Sequence, residues 1–153
     1  MATHNYTGGL RNVGSYQISG HPYITGSNDL DTNKVHQINF PYVSRSITVI
    51  NNNTNNGEDI MVHFQSGSTT TITPLAKNGG HGTFSSAEAD VLKQNHYLTI
   101  PSGYSSITMN VKCANFYISN QSGTSDLKYQ VFAELTTIPT GSMYELTGSG
   151  ITQ

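Results

Sequence analysis

Leu127-Lys128-Tyr129-Gln130-Val131-Phe132-Ala133-Glu134-Leu135-Thr136 is the stretch that decides the fold class. Leu127, Tyr129, Val131, Ala133 and Leu135 fall on one side of an extended chain, and Lys128, Gln130, Phe132 and Glu134 on the other. Side chains alternate across a strand, so this period of two marks a strand with one buried face. The same rhythm recurs upstream in shorter pieces. Ile38 and Phe40 alternate with Gln37 and Asn39 until Pro41 interrupts; in Ser44–Asn51, Ile47 and Val49 oppose Thr48 and Ile50. Ile60, Val62 and Phe64 alternate with Met61, His63 and Gln65, and Ile107, Met109 and Val111 face one way in Ser106–Lys112. Ser68–Thr73, His96–Ile100 and the region of Phe116 and Ile118 give shorter signals.

Between these runs lie turn signals. Asn51-Asn52-Asn53-Thr54-Asn55-Asn56-Gly57 reads as a hairpin loop, because Asn and Gly tolerate positive φ. Ser66-Gly67 reads as a turn and Asn78-Gly79-Gly80-His81-Gly82 as a flexible loop. Ser85-Ser86-Ala87-Glu88 has capping-box spacing, which predicts one short helix running to Leu92. Eight or nine short strands with turns about every 8–12 residues predict an all-β chain, an antiparallel β-sandwich of jelly-roll or immunoglobulin-like type. Strand order stays open. Residues 1–30 carry Gly8, Gly9, Gly14, Gly20 and Gly26, with Tyr16 and Ile18 alternating about Gln17, and read as an extended Gly-rich arm. Residues 31–137 form the sandwich body and 138–153 a second, C-terminal arm.

Composition agrees with that class. In 153 residues, Thr contributes 19, Ser 17, Asn 15 and Gly 15, a mixture that suits strands and turns and is poor for helices. Only 10% of residues are charged and the formal net charge is −2, which removes the electrostatic term that dominates nucleic-acid affinity. No nucleic-acid partner is expected. Nor is a membrane, since no run approaches the length of a spanning helix. Sparse charge gives little colloidal repulsion, so much of the surface is expected to sit against copies of itself or a partner. The one cysteine, Cys113, permits no intrachain disulfide, and Met1–Asn5 lacks the basic start of a signal peptide. A reducing cytosol, or a particle built there, is the expected setting.

The search for chemistry returns little. Asp29-Leu30-Asp31-Thr32-Asn33 begins like a calcium loop, but Lys34 stands where glycine is required and Phe40 where glutamate is. An Asx-type turn explains it better. The six histidines never take ligand spacing, and His36 and His63 sit on strand patterns. There is no Gly-x-Ser-x-Gly elbow and no phosphate-cradling glycine loop. Cys113, at a strand end without a neighbouring base, reads as a small buried filler. The nine acids fall mostly in turn-like segments. We therefore expect no enzyme, no catalytic residues, no metal and no cofactor. Tyr97, Tyr117 and Tyr129 read as packing residues, whereas Tyr6, Tyr16, Tyr23, Tyr104 and Tyr144 lie in loops or arms. Those either anchor arms to neighbouring subunits or stack on sugar rings.

One resemblance adds to this. Asn12-Val13-Gly14-Ser15-Tyr16-Gln17-Ile18-Ser19-Gly20-His21-Pro22-Tyr23-Ile24-Thr25-Gly26-Ser27 resembles the start of small virion structural proteins of marine tailed phages, cyanophages especially. Ile107–Lys112, Tyr129–Leu135 and Met143–Gly150 are similar to the same group. The resemblance implies a non-enzymatic component of the virion, and it carries over no functional residues. On that footing the expected function is that of a capsid decoration or cement protein, a homo-oligomer of trimer type that binds the major capsid protein. Arm strands could add to a neighbour's sheet edge. Tyr16, Ile18, Pro22, Tyr23 and Ile24 are then the expected interface residues. The alternative is a tail, neck or fibre component with a glycan-binding role; a small hydrolase is a distant third.

Overall fold

The decisive stretch becomes the longest strand of the molecule. The structure is a computed structural model that describes residues 8–17, 20–32, 34–64, 73–75, 79–83, 96–120, 126–144, 146–147 and 150–151. Its strands are β1 (His21–Leu30), β2 (Lys34–Asn39), β3 (Tyr42–Asn51), β4 (Ile60–His63), β5 (Thr73–Leu75), β6 (Gly79–Thr83), β7 (Leu98–Ile100), β8 (Ser106–Met109), β9 (Asn115–Ser119) and β10 (Leu127–Pro139). One helical turn, α1 (Gly14–Gln17), precedes them, and a two-strand ribbon, β11 (Leu146–Thr147) with β12 (Gly150–Ile151), follows.

A four-stranded sheet of order β1-β10-β3-β8 faces a six-stranded one of order β5-β6-β2-β9-β4-β7. The pairing is nested and antiparallel: β1 with β10, β2 with β9, β3 with β8 and β4 with β7. That order, with the chain alternating between sheets along β1–β4 and again along β7–β10, is the jelly-roll arrangement. The β5–β6 hairpin is an addition beside β2. Leu127, Tyr129, Val131, Ala133 and Leu135 all point into the core, as their phase requires, opposite Ile38, Ile60, Val62, Phe116 and Ile118 of the other sheet. Tyr23 meets Phe40 edge-on at 5.3 Å between ring centroids, and Phe40 stacks on Phe116 at 5.7 Å. A polar tie crosses the same core, where His36 Nδ1 lies 2.9 Å from the Tyr129 hydroxyl.

Four expectations are corrected. The sandwich begins at His21, because β1 pairs with β10 from His21↔Leu135 to Leu30↔Leu127 and residues 21–30 are no arm. A Cβ at Gly26 would come within 2.7 Å of the Tyr129 carbonyl oxygen, so this glycine permits close approach of two strands rather than punctuating an arm. Tyr16 lies in the α1 turn and not on an extended run. Gly79–Thr83 is strand β6, not a loop, since backbone pairing with β2 needs no side-chain pattern. Lastly, the asparagine run does not close a hairpin: β3 and β4 belong to different sheets.

That run is instead a sheet-to-sheet crossing in which amides stand in for a missing strand. Asn51 Nδ2 donates to the carbonyls of Glu58 and Ile100, both at 2.9 Å, while its Oδ1 accepts from the Asn53 N–H and Nδ2. Asn53 in turn accepts from the Lys128 N–H at 2.9 Å and donates to the Lys128 carbonyl at 3.0 Å. Buried backbone groups at the corner are thereby satisfied. The turn at Ser66-Gly67, the helix expected over Ser85–Leu92 and most of the Ser68–Thr73 run lie outside the described residues.

Candidate functional site

In β1 and β10 the residues that do not enter the core form the outer face of the four-stranded sheet. Register places Ile24 beside Phe132, Phe132 beside Thr48 and Thr48 beside Thr108, one row across all four strands. The flanking rows are Pro22, Glu134 and Ser46 on one side, and Gly26, Gln130, Ile50 and Ser106 on the other. Ile24 is 77% exposed and Phe132 39%. Glu134 is neutralised by Arg45, whose Nε lies 3.7 Å from its Oε2. β1 is also an edge strand, with Pro22 near its start, where the missing N–H blunts further pairing.

The five residues expected at an interface are distributed unevenly. Pro22 and Ile24 lie together on this exposed face. Tyr23, one residue out of phase, turns inward and is half-buried against Phe40; its hydroxyl faces the Asn39 carbonyl at 3.4 Å, and burial raises its pKa. Ile18 lies outside the described residues. Tyr16 sits elsewhere, in α1, with Lys112 Nζ 4.0 Å above its ring and its hydroxyl donating to the Leu10 carbonyl at 3.2 Å. Burial first, and then Tyr144, raise the Tyr16 hydroxyl. A shallow hollow of about 340 Å³ opens there, lined by Leu10, Arg11, Val13, Tyr16 and Lys112. The residue missed by sequence reading is Phe132. It stood in the polar phase of the alternation, which was the available signal.

Among the described residues, the nucleophile-like groups are buried. His63 Nε2 is 3.2 Å from Ser119 Oγ, a base beside a hydroxyl, yet both side chains are fully buried and His63 stacks on Tyr117 at 5.6 Å. Cys113 is buried, its N–H donating to Ser44 Oγ at 3.0 Å, and burial pushes its thiol up to about 11. A thiol held protonated is a poor nucleophile. Burial also raises the Tyr129 hydroxyl, with Asp29 adding to it. At the end of β1, Asp31 pairs with Lys34 at 2.7 Å, and the neighbouring Asp31 holds the Asp126 carboxyl above the usual range. Among the described residues no three potential ligands gather into a metal cluster, and no helix is long and apolar enough to cross a membrane. No family model, no curated protein and no solved structure matches the chain.

Proposed function

We propose that the chain is a non-enzymatic virion structural protein, a capsid decoration or cement protein that docks on the outer shell through the bare face of its four-stranded sheet. The observation that carries this reading is Ile24 standing 77% exposed beside Phe132 on a low-charge sheet face. Full burial of such a side chain contributes about 1.5–3 kcal/mol, so the pair supplies the apolar centre of a small interface. Repetition around a symmetry axis multiplies it. A trimer that binds the major capsid protein is the assembly we favour, since closed rings are how identical subunits pair complementary patches. The jelly-roll architecture and the sparse charge fit that role, and the sequence resemblance gives it a place. Fold alone would not.

The test is the copy number of this chain in purified virions, measured by quantitative mass spectrometry against the major shell protein. The reading predicts on the order of hundreds of copies at a fixed ratio to the shell, as symmetric decoration requires. A handful or a few dozen moves the chain to the tail, neck or fibre. Absence from the particle contradicts the structural role.

A further inference from the structure

The turn between β7 and β8, residues 101–105, crosses from one sheet to the other beside the asparagine crossing. Gly103 has φ +94° and Tyr104 φ +59°. Two successive left-handed residues make a turn in which glycine or asparagine is at ease, and a bulky ring at the second is an outlier. The turn is pinned. Ser102 donates its N–H to Asp59 Oδ1 at 3.0 Å, Gly103 to the Asn53 carbonyl at 2.7 Å, and Asn51 to the Ser105 carbonyl at 2.8 Å. The two crossings therefore form one stitched rim.

On that rim the Tyr104 side chain is 69% exposed and engages no hydrogen bond, ion pair or ring contact among the described residues. Thr54, Asn55 and Asn56, which follow the Asn53 carbonyl that holds Gly103, are exposed as well. Stability does not ask for a tyrosine here, since glycine would relieve the backbone. An observed outlier with a displayed ring points to a use for the ring.

We propose that Tyr104 is the platform of a binding site for a neutral carbohydrate. A sugar ring presents a flat face of C–H groups that stacks on an aromatic, and its hydroxyls match the exposed hydroxyl of Thr54 and amide of Asn56, while Asn55 Nδ2 is held by Glu58 Oε1 at 2.8 Å. Residues 52–57 and 101–105 contain no charged side chain, and the carboxylates that hold them, Glu58 on Asn55 and Asp59 on Ser102, disfavour a phosphate or carboxylate ligand. One ring among amides is also too little apolar area for a protein partner. The turn leads into β8, at the opposite edge of the four-stranded sheet from the β1 strand that carries Ile24, and sugar binding by Tyr104 does not require the docking role.

The test is saturation-transfer NMR on the full chain with maltohexaose, cellohexaose and the hexamer of N-acetylglucosamine as probes. Wild type is compared with Tyr104→Ala, Tyr104→Gly and Tyr42→Ala, the last removing an exposed tyrosine elsewhere. We expect transfer to at least one probe, an apparent affinity about tenfold weaker in both Tyr104 variants, and no change in Tyr42→Ala. Tyr104→Gly should also unfold at higher urea than wild type, which separates loss of the ring from loss of the fold. Transfer to none of the three probes, or an apparent affinity in Tyr104→Ala equal to that of wild type, overturns the proposal.

Discussion

Each sheet of a sandwich has an outer face, and in this molecule the two are treated oppositely. On the six-stranded sheet the outward phase of β2, β4 and β9 includes buried Val35, His63, Tyr117 and Ser119 and half-buried Gln37, Met61 and Asn115, with Asn39 exposed at its margin. Tyr97, entering β7, packs on that cluster. Gln37 Nε2 donates to the Tyr117 hydroxyl at 3.0 Å, and His63 stacks on Tyr117 with only 8° between the planes. On the four-stranded sheet the outward phase holds Pro22, Ile24, Phe132 and Thr48, with Ile24 in open solvent. Among the described residues, the chain covers much of one face and leaves Ile24 and its neighbours on the other exposed. The proposed interface is placed on the bare face, because a partner on the covered face would first have to displace packing already made.

Substitution separates the faces most sharply. Tyr117→Ala removes a buried ring, its hydrogen bond and its stack, and should lower unfolding free energy by about 3 kcal/mol or more in urea titrations. Phe132→Ala on the bare face should stay within about 1 kcal/mol. Equal costs would mean the two faces are equally closed.

A second effect belongs to the interior between the faces. The Cys113 thiol is raised from 9.0 to about 11, so folded protein keeps a proton that unfolded chain releases. Its contribution is fully present below pH 9 and is lost as pH rises through 11, about 2–3 kcal/mol in all. Cys113→Ala should flatten the fall in stability between those values, measured by urea midpoints across the series. An unchanged slope would show that another group controls the alkaline limb.

A smaller effect tests where the bare face is nonetheless tight. Gly26→Ala puts a methyl against the Tyr129 carbonyl and should cost about 1–2 kcal/mol, although the residue itself is exposed. If it costs nothing, β1 is not held against β10 as closely as the register implies.

Much of the sandwich was legible because period-two alternation is a local signal. β10, β3, β4, β8 and β9 could each be read from their own residues. What escaped was encoded in contact rather than pattern. Gly26 looks like loop punctuation until β10 lies beside it, and the glycines of β6 leave no alternation to read. Asn51 and Asn53 look like turn formers, yet their amides replace the main chain of an absent strand. The site followed the same division. Of the expected contact residues, Pro22 and Ile24 share the exposed face, Tyr23 falls on the opposite phase, and Phe132 joins the proposed face only because register sets it beside Ile24.

The most direct measurement is incorporation of the Ile24→Glu protein into virions, with its urea midpoint recorded alongside. A charge in the middle of the bare face should leave the midpoint within about 0.5 kcal/mol of wild type and abolish incorporation. A folded Ile24→Glu protein that enters the particle at the wild-type level would contradict docking through this face.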